Sequence, residues 1–192
     1  MSSPTLGIVC SVLQREVAYL EQQQSFSIEF MYLDSMLHMY PDKLETRQDQ
    51  LVREQLALGK RVLLVYGDCH PTIIQLGQQA NVVRTKGVNC CELLLGKEEF
   101  RRYLKLGAFF LIPEWAVRWR TVFGKELGLN REVARAMMGD LHTRLLYLDT
   151  GLVEVPRKEL DEMSDYCGLP WESVQIDLSV LRQKIEAALE EF

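Results

Sequence analysis

The chain has 192 residues and a mass of 22.2 kDa, which fits one domain and is long enough to bury a core without disulfides or a structural metal. Its 47% hydrophobic and 26% charged residues exclude a disordered or collagen-like chain. The net charge of −5 argues against a general nucleic-acid binder, which needs a basic face to displace counterions from phosphates.

Apolar runs recur along the chain at Leu6–Cys10, Phe26–Leu33, Arg61–Gly67, Ala80–Thr85, Ala108–Pro113, Arg144–Asp149 and Val174–Leu178. Several are unbroken, such as Val62-Leu63-Leu64-Val65-Tyr66, as expected of strands covered by helices on both faces. The stretch Asp34–Leu44 fits neither the strand nor the helix period and contains Pro41, so it reads as a long loop with a short helical turn. Asn130 is placed to cap a helix from Arg131. Gly168, followed by Pro170, ends a helix over Lys158–Cys167. Leu181, Ile185, Ala188, Leu189 and Phe192 form the apolar stripe of a final helix. The alternation predicts one doubly wound α/β domain over residues 1–192. Its sheet would be mainly parallel, with about five to seven strands and helices on both faces.

No apolar run approaches the roughly 20 residues needed to span a bilayer. The first residues carry no basic patch ahead of a hydrophobic stretch. The sequence therefore predicts a cytosolic protein with no membrane or nucleic-acid partner. In a reducing compartment the five cysteines, Cys10, Cys69, Cys90, Cys91 and Cys167, make a poor disulfide framework. Core filling, metal ligation and thiol reactivity are the roles open to them.

Ligands of an open parallel sheet bind outside the carboxyl ends of its strands. Cys10 ends the first predicted strand, and the second leads to His38. The third ends in Gly67-Asp68-Cys69-His70-Pro71, and the fourth leads through Gly87 to Cys90 and Cys91. Three thiolates with an open fourth position suit zinc or an iron–sulfur cluster. Cys10, Cys69 and Cys90 are the candidate ligands, with His38 or His70 as the fourth. The bland alternative makes the cysteines core fillers, Asp68 a cap and His70 an exposed side chain. Pro71 is expected in the first turn of the following helix. Cys167, at the other end of the predicted fold, reads as structural.

Other strand ends offer a second group. Glu114 and Trp115 open the helix after Ala108–Pro113, where a carboxylate complements the helix dipole and an indole can wall a pocket. Asp149-Thr150-Gly151 is either a polar loop that touches a ligand or a plain turn. With His38, these five residues are the candidates for contact with a cofactor.

Several of these features together resemble one bacterial and archaeal family, domain of unknown function 1638. They are Cys10 in the first strand–helix turn, His38 in a Leu-His-x-x-Pro stretch, and Tyr66-Gly67-x-Cys69. Cys90 before Leu93-Leu94-Leu95-Gly96, Pro113-x-Trp115 and Asp149-Thr150-Gly151 complete the set. The resemblance covers nearly the whole chain. It implies Cys10, His38, Cys69 and Cys90 as the shared polar set. It also implies a setting beside corrinoid-dependent methyltransferases of anaerobes. The chain departs from the family pattern at His70-Pro71, where a glycine usually follows the cysteine, and at Cys91, which replaces an aliphatic residue.

Three functions follow as expectations. The first is a protein holding zinc or an iron–sulfur cluster, accessory to or an enzyme of one-carbon and corrinoid methyl metabolism, with a small-molecule or methyltransferase-system partner. The second is a metal-free thiol enzyme with Cys69 or Cys90 as nucleophile. The third is a non-catalytic module that binds a corrinoid protein or tetrapyrrole. The chain has no GxGxxG or GxxxxGK[ST] fingerprint for nucleotides, and no DxHxxG string for a cobalamin.

Overall fold

A computed structural model describes residues 3–23, 26 and 28–192. Among the described residues there are seven strands in two sheets, every strand pair parallel. The chain divides into two compact units, Met1–Leu94 with Leu178–Phe192, and Leu95–Asp177. This is the parallel α/β architecture that the alternating runs predict, with the strands shared as four and three between the two units.

In the first unit β1 (Thr5–Cys10), β2 (Glu29–Leu33), β3 (Arg61–Val65) and β4 (Val82–Arg84) lie in the order β2-β1-β3-β4. All six residues of β1 are buried and the last four of β3 are too. Both strands are interior, so their sequences are continuously apolar instead of alternating. Edge strand β2 is half-exposed over most of its length. The run Phe26–Leu33 enters the ladder only at Glu29; its Ser27 lies outside the described residues.

The helices of this unit are α1 (Gln14–Gln22), α2 (Pro41–Ala57), α3 (Ile73–Leu76), α4 (Cys90–Leu95) and, from the other end of the chain, α9 (Ser179–Leu189). The long loop expected over Asp34–Leu44 is instead a 3-10 turn, Ser35–Met39, followed directly by α2. Pro41 opens α2 rather than breaking it, because a proline at the first helical position lacks only an N–H that would go unpaired anyway. Pro71 does not have that role: α3 begins two residues later, at Ile73. Leu181, Ile185 and Ala188 of α9 are buried, as their spacing predicts.

The second unit contains α5 (Lys97–Lys105), β5 (Ala108–Leu111), α6 (Pro113–Arg120), α7 (Arg131–Leu141), β6 (Arg144–Asp149), α8 (Arg157–Cys167) and β7 (Trp171–Gln175), with sheet order β5-β6-β7. Asn130 caps α7 by accepting the Val133 N–H at 2.9 Å. Gly168 follows α8 in the left-handed region, at φ +72°. The last strand was expected over Val174–Leu178 but runs Trp171–Gln175. It is an edge strand with no fully buried residue, so apolarity does not mark it. Its register is fixed by Leu145 opposite Trp171 and by the Leu145 N–H bonding the Pro170 carbonyl at 2.9 Å.

Candidate functional site

β1 pairs on one side with β2 and on the other with β3. The chain connections therefore leave in opposite directions at the β1/β3 boundary, the place outside whose carboxyl ends open α/β sheets bind their ligands. Cys10 is the last residue of β1. Cys69 sits in the loop after β3 and Cys90 starts α4, after β4.

Backbone contacts hold the Cys69 and Cys90 loops together. The Asp68 N–H lies 3.1 Å from the Gly87 carbonyl and 3.2 Å from that of Val88. Arg84 reaches Asp68 at 2.7 Å. The fully buried Thr85 hydroxyl donates to the Tyr66 carbonyl at 2.9 Å and accepts the Tyr66 N–H at 3.2 Å. Asn89 accepts the Glu92 N–H at 3.0 Å, and Glu92 in turn accepts the Val88 N–H at 3.0 Å. This reciprocal bonding fixes the first turn of α4.

The three thiols interact in a row. Cys90 is the main influence that raises Cys69, and Cys10 the main influence that raises Cys90. The hydrogen bond to Cys90 and then burial push the Cys69 thiol up, while His38 beside it favours the thiolate. The hydrogen bond to Cys10 raises Cys90 well above the usual thiol range. Cys10 and Cys90 are buried; Cys69 is half-exposed, which puts it at the mouth with His38.

His38 is positioned from its ring nitrogen outward. Its Nδ1–H donates to the Ser35 carbonyl at 2.9 Å, which makes Nε2 the unprotonated nitrogen of the neutral ring. Ser35 is itself fully buried, and its N–H donates to the Ser11 hydroxyl at 2.8 Å. Ser11 follows Cys10, so one short path links two of the candidate ligands. A ligating histidine is commonly oriented by such a bond to a backbone carbonyl. Asp34 caps the same turn, accepting the Met36 N–H at 3.0 Å.

His70 is not the exposed side chain of the bland alternative, being 5% exposed. Its Nε2 lies 2.5 Å from Gln48 Oε1 and its Nδ1 3.1 Å from the Thr72 hydroxyl. Burial is the main force lowering its pKa. Cys91 is half-exposed, and desolvation pushes its thiol up to about 12. Among the described residues, no three His, Cys, Asp or Glu side chains already stand in a geometry that would hold a metal ion.

The residues proposed from the other strand ends belong to the second unit. Asp149 accepts the Gly151 N–H at 2.9 Å and Gly151 sits at φ +69°, which is the turn alternative for Asp149-Thr150-Gly151; Thr150 is buried. Glu114 pairs with Arg118 at 3.0 Å, one helical turn on, and Trp115 is half-buried. Cys167 is buried at the end of α8, with its thiol pushed up to about 11 by desolvation.

Two residues beside the thiols escaped the sequence reading as site residues. Tyr66 is fully buried, stacks on His38 at a ring separation of 6.4 Å, and feels all three cysteines. Burial drives its phenol far above the ordinary range, and Gln48 offsets part of this without coming within hydrogen-bonding distance. Gln48 is the other. It stands one turn after Leu44 on a helix face whose other buried members include Leu51 and Val52, and a polar residue on such a stripe is the signal that could have found it.

Fold and sequence together define a parallel α/β protein with Cys10, Cys69 and Cys90 at the strand ends around the switch between β1 and β3. The chain belongs to the family described as protein of unknown function DUF1638, whose model matches residues 32–185. No curated protein and no solved structure matches it. Among the described residues no helix is long and apolar enough to cross a membrane.

Proposed function

We propose that this protein binds a thiophilic metal ion or an iron–sulfur cluster through Cys10, Cys69 and Cys90, with His38 as the fourth donor. The observation that supports this most is the set of three thiols drawn from three strand ends of one parallel sheet, beside an imidazole whose other nitrogen is tied to a backbone carbonyl. Soft sulfur donors with one nitrogen match zinc and iron–sulfur chemistry. Bound there, the group would supply Lewis acidity or electron transfer.

The chain's own residues would do the rest. Ser35 and Ser11 hold the His38 ring in the tautomer that presents Nε2. The thiols must give up their protons on ligation, and His38 is placed to receive that of Cys69. Cys69 and His38 face the mouth, so they would be the donors met first by an incoming ion and by any substrate or partner. A role in one-carbon or corrinoid methyl metabolism is part of the proposal and rests on the family resemblance alone.

The raised thiols weigh against a metal-free nucleophile, because an activated cysteine is one whose thiolate is favoured. Elemental analysis and a visible spectrum of protein purified without oxygen test the reading. Near-stoichiometric zinc or iron is expected, lost in Cys10→Ser, Cys69→Ser and Cys90→Ser and kept in Cys167→Ser. Metal-free protein in which Cys69 or Cys90 alkylates at once would overturn it in favour of the thiol enzyme.

A further inference from the structure

Two polar atoms next to the thiols have nothing to bond. The Tyr66 hydroxyl and Gln48 Nε2 are both buried, and neither has a hydrogen-bond partner among the described residues. Both residues are 0% exposed. A buried polar group left unmatched forfeits its bond to water without gaining another, so native folds seldom leave two at one place without a use.

Their orientation is set from behind. The Gln48 amide oxygen accepts from His70 Nε2–H, and His70 Nδ1 accepts from the Thr72 hydroxyl. That occupies the amide oxygen and leaves the amide N–H₂ as a donor. Cys10, Cys90 and Cys69 all bear on the Tyr66 phenol, and the His38 ring stacks on that of Tyr66 with centroids 6.4 Å apart, 13° from parallel. His70 also lines a cavity of about 350 Å³ bordered by Glu45, Asp49, Arg53 and Thr72, so the chain of bonds that orients Gln48 ends in a space open to small molecules.

We propose that Tyr66 and Gln48 form a two-donor cradle for an acceptor oxygen of a small carboxylate or carbonyl ligand held against the thiol site. Both donors are neutral, so the oxygen can belong to an anion or to an uncharged carbonyl. Their complete burial restricts the ligand to a few heavy atoms. The inference deepens the metal-binding reading, on which it rests only for what the other end of the ligand meets.

The test is thermal unfolding of the full chain titrated with sodium acetate and, separately, with acetamide. Ionic strength is held constant with chloride, and concentrations run to roughly 100 mM, where even millimolar binding raises the midpoint. Wild-type protein should be stabilised by one or both. Tyr66→Phe, which removes only an oxygen that has no partner, should fold and unfold at the wild-type temperature or above it without ligand. It should bind the effective probe about tenfold or more weakly. Acetate acting alone would assign a carboxylate, and acetamide as well would assign any carbonyl oxygen. No shift with either probe, or an equal shift in Tyr66→Phe, overturns the cradle. So does a Tyr66→Phe protein that fails to fold, because the cradle requires the hydroxyl to be dispensable for folding. Metal analysis of the same samples separates the two readings. Metal-free protein with a Tyr66-dependent shift keeps the cradle and loses the metal, and metal-replete protein indifferent to both probes does the reverse.

Discussion

Gly67 and Asn89 approach so closely that a methyl group on Gly67 would lie 2.3 Å from the Asn89 Cα and 2.6 Å from its nitrogen. Both partners are backbone, which cannot swing aside as a side chain can. Gly67 stands two residues before Cys69, and Asn89 immediately precedes Cys90. The absence of a side chain at one position therefore sets the spacing between two candidate ligands.

Gly67→Ala should accordingly separate the two loops. Overpacking of this kind costs about 1–3 kcal/mol, seen as an earlier urea midpoint. Metal content should fall with it, because Cys69 and Cys90 no longer meet. Gly59→Ala is the control: it has a positive φ of +74° but nothing within 4 Å of the added methyl, so any loss there is backbone strain and should leave metal content alone. Equal metal content in Gly67→Ala and wild type would dissociate this contact from the site.

A second prediction concerns Ser11, whose hydroxyl accepts the N–H of fully buried Ser35 at 2.8 Å. Ser11→Ala leaves that N–H without its partner, at a cost of about 1–3 kcal/mol. The same Ser35 holds the His38 ring through its carbonyl. Metal affinity should fall by roughly 10–100-fold, the usual effect of removing a group that orients a ligand. Competition against a chromogenic chelator measures it. Ser11→Thr should recover most of both losses, and failure of that rescue would show that Ser11 acts only through packing.

The parallel α/β class and the interior strands β1 and β3 were legible because burial on both faces forces continuous apolar runs, as in Val62–Val65. Edge strands β2 and β7 were blurred for the converse reason: half-exposed strands tolerate Glu29 and Glu172. Pro41 was misread because a proline looks the same in sequence whether it breaks a helix or opens one. The division into two sheets was not legible, since the chain alternates in the same way through both. Cys10, Cys69 and Cys90 could be proposed together because a parallel topology collects strand ends on one edge. Tyr66 was hidden in an apolar run, and Gln48 was marked only as a polar residue on the otherwise apolar stripe of Leu44, Leu51 and Val52.

Stability should also depend on pH through His142, whose pKa is lowered by burial, with its backbone contact to Gly107 opposing in part. Its ring meets that of Phe109 edge-on at 5.2 Å. Above about pH 6.5, the ordinary histidine value, the ring is neutral in both folded and unfolded chains and costs nothing. As pH falls through that value the unfolded chain takes up the proton first, so stability is lost from there downward towards the folded pKa. The thermal midpoint should drop as pH falls below about 6.5, and His142→Asn should flatten the drop. An identical slope in the variant would assign the acid sensitivity to other groups.

The last prediction uses the thiols as reporters of their own ligation. A metal-bound cysteine has no proton to lose and no free lone pair to attack with, so it resists alkylation until the metal leaves. In protein purified without oxygen, Cys10, Cys69 and Cys90 should therefore be spared by iodoacetamide. After chelation the three should become reactive together, but not equally. Cys69 is half-exposed and should be modified first, whereas Cys10 and Cys90 are buried and wait for the site to open. Cys167 is the internal standard. It is buried, and its thiol is pushed up to about 11 by desolvation, so its slow modification should be the same before and after chelation. Peptide mapping by mass spectrometry reads all five positions in one experiment. If chelation changes none of the three, they are not ligands. If it changes Cys167 as well, the chelator has loosened the fold as a whole, and the rates report unfolding instead of metal release.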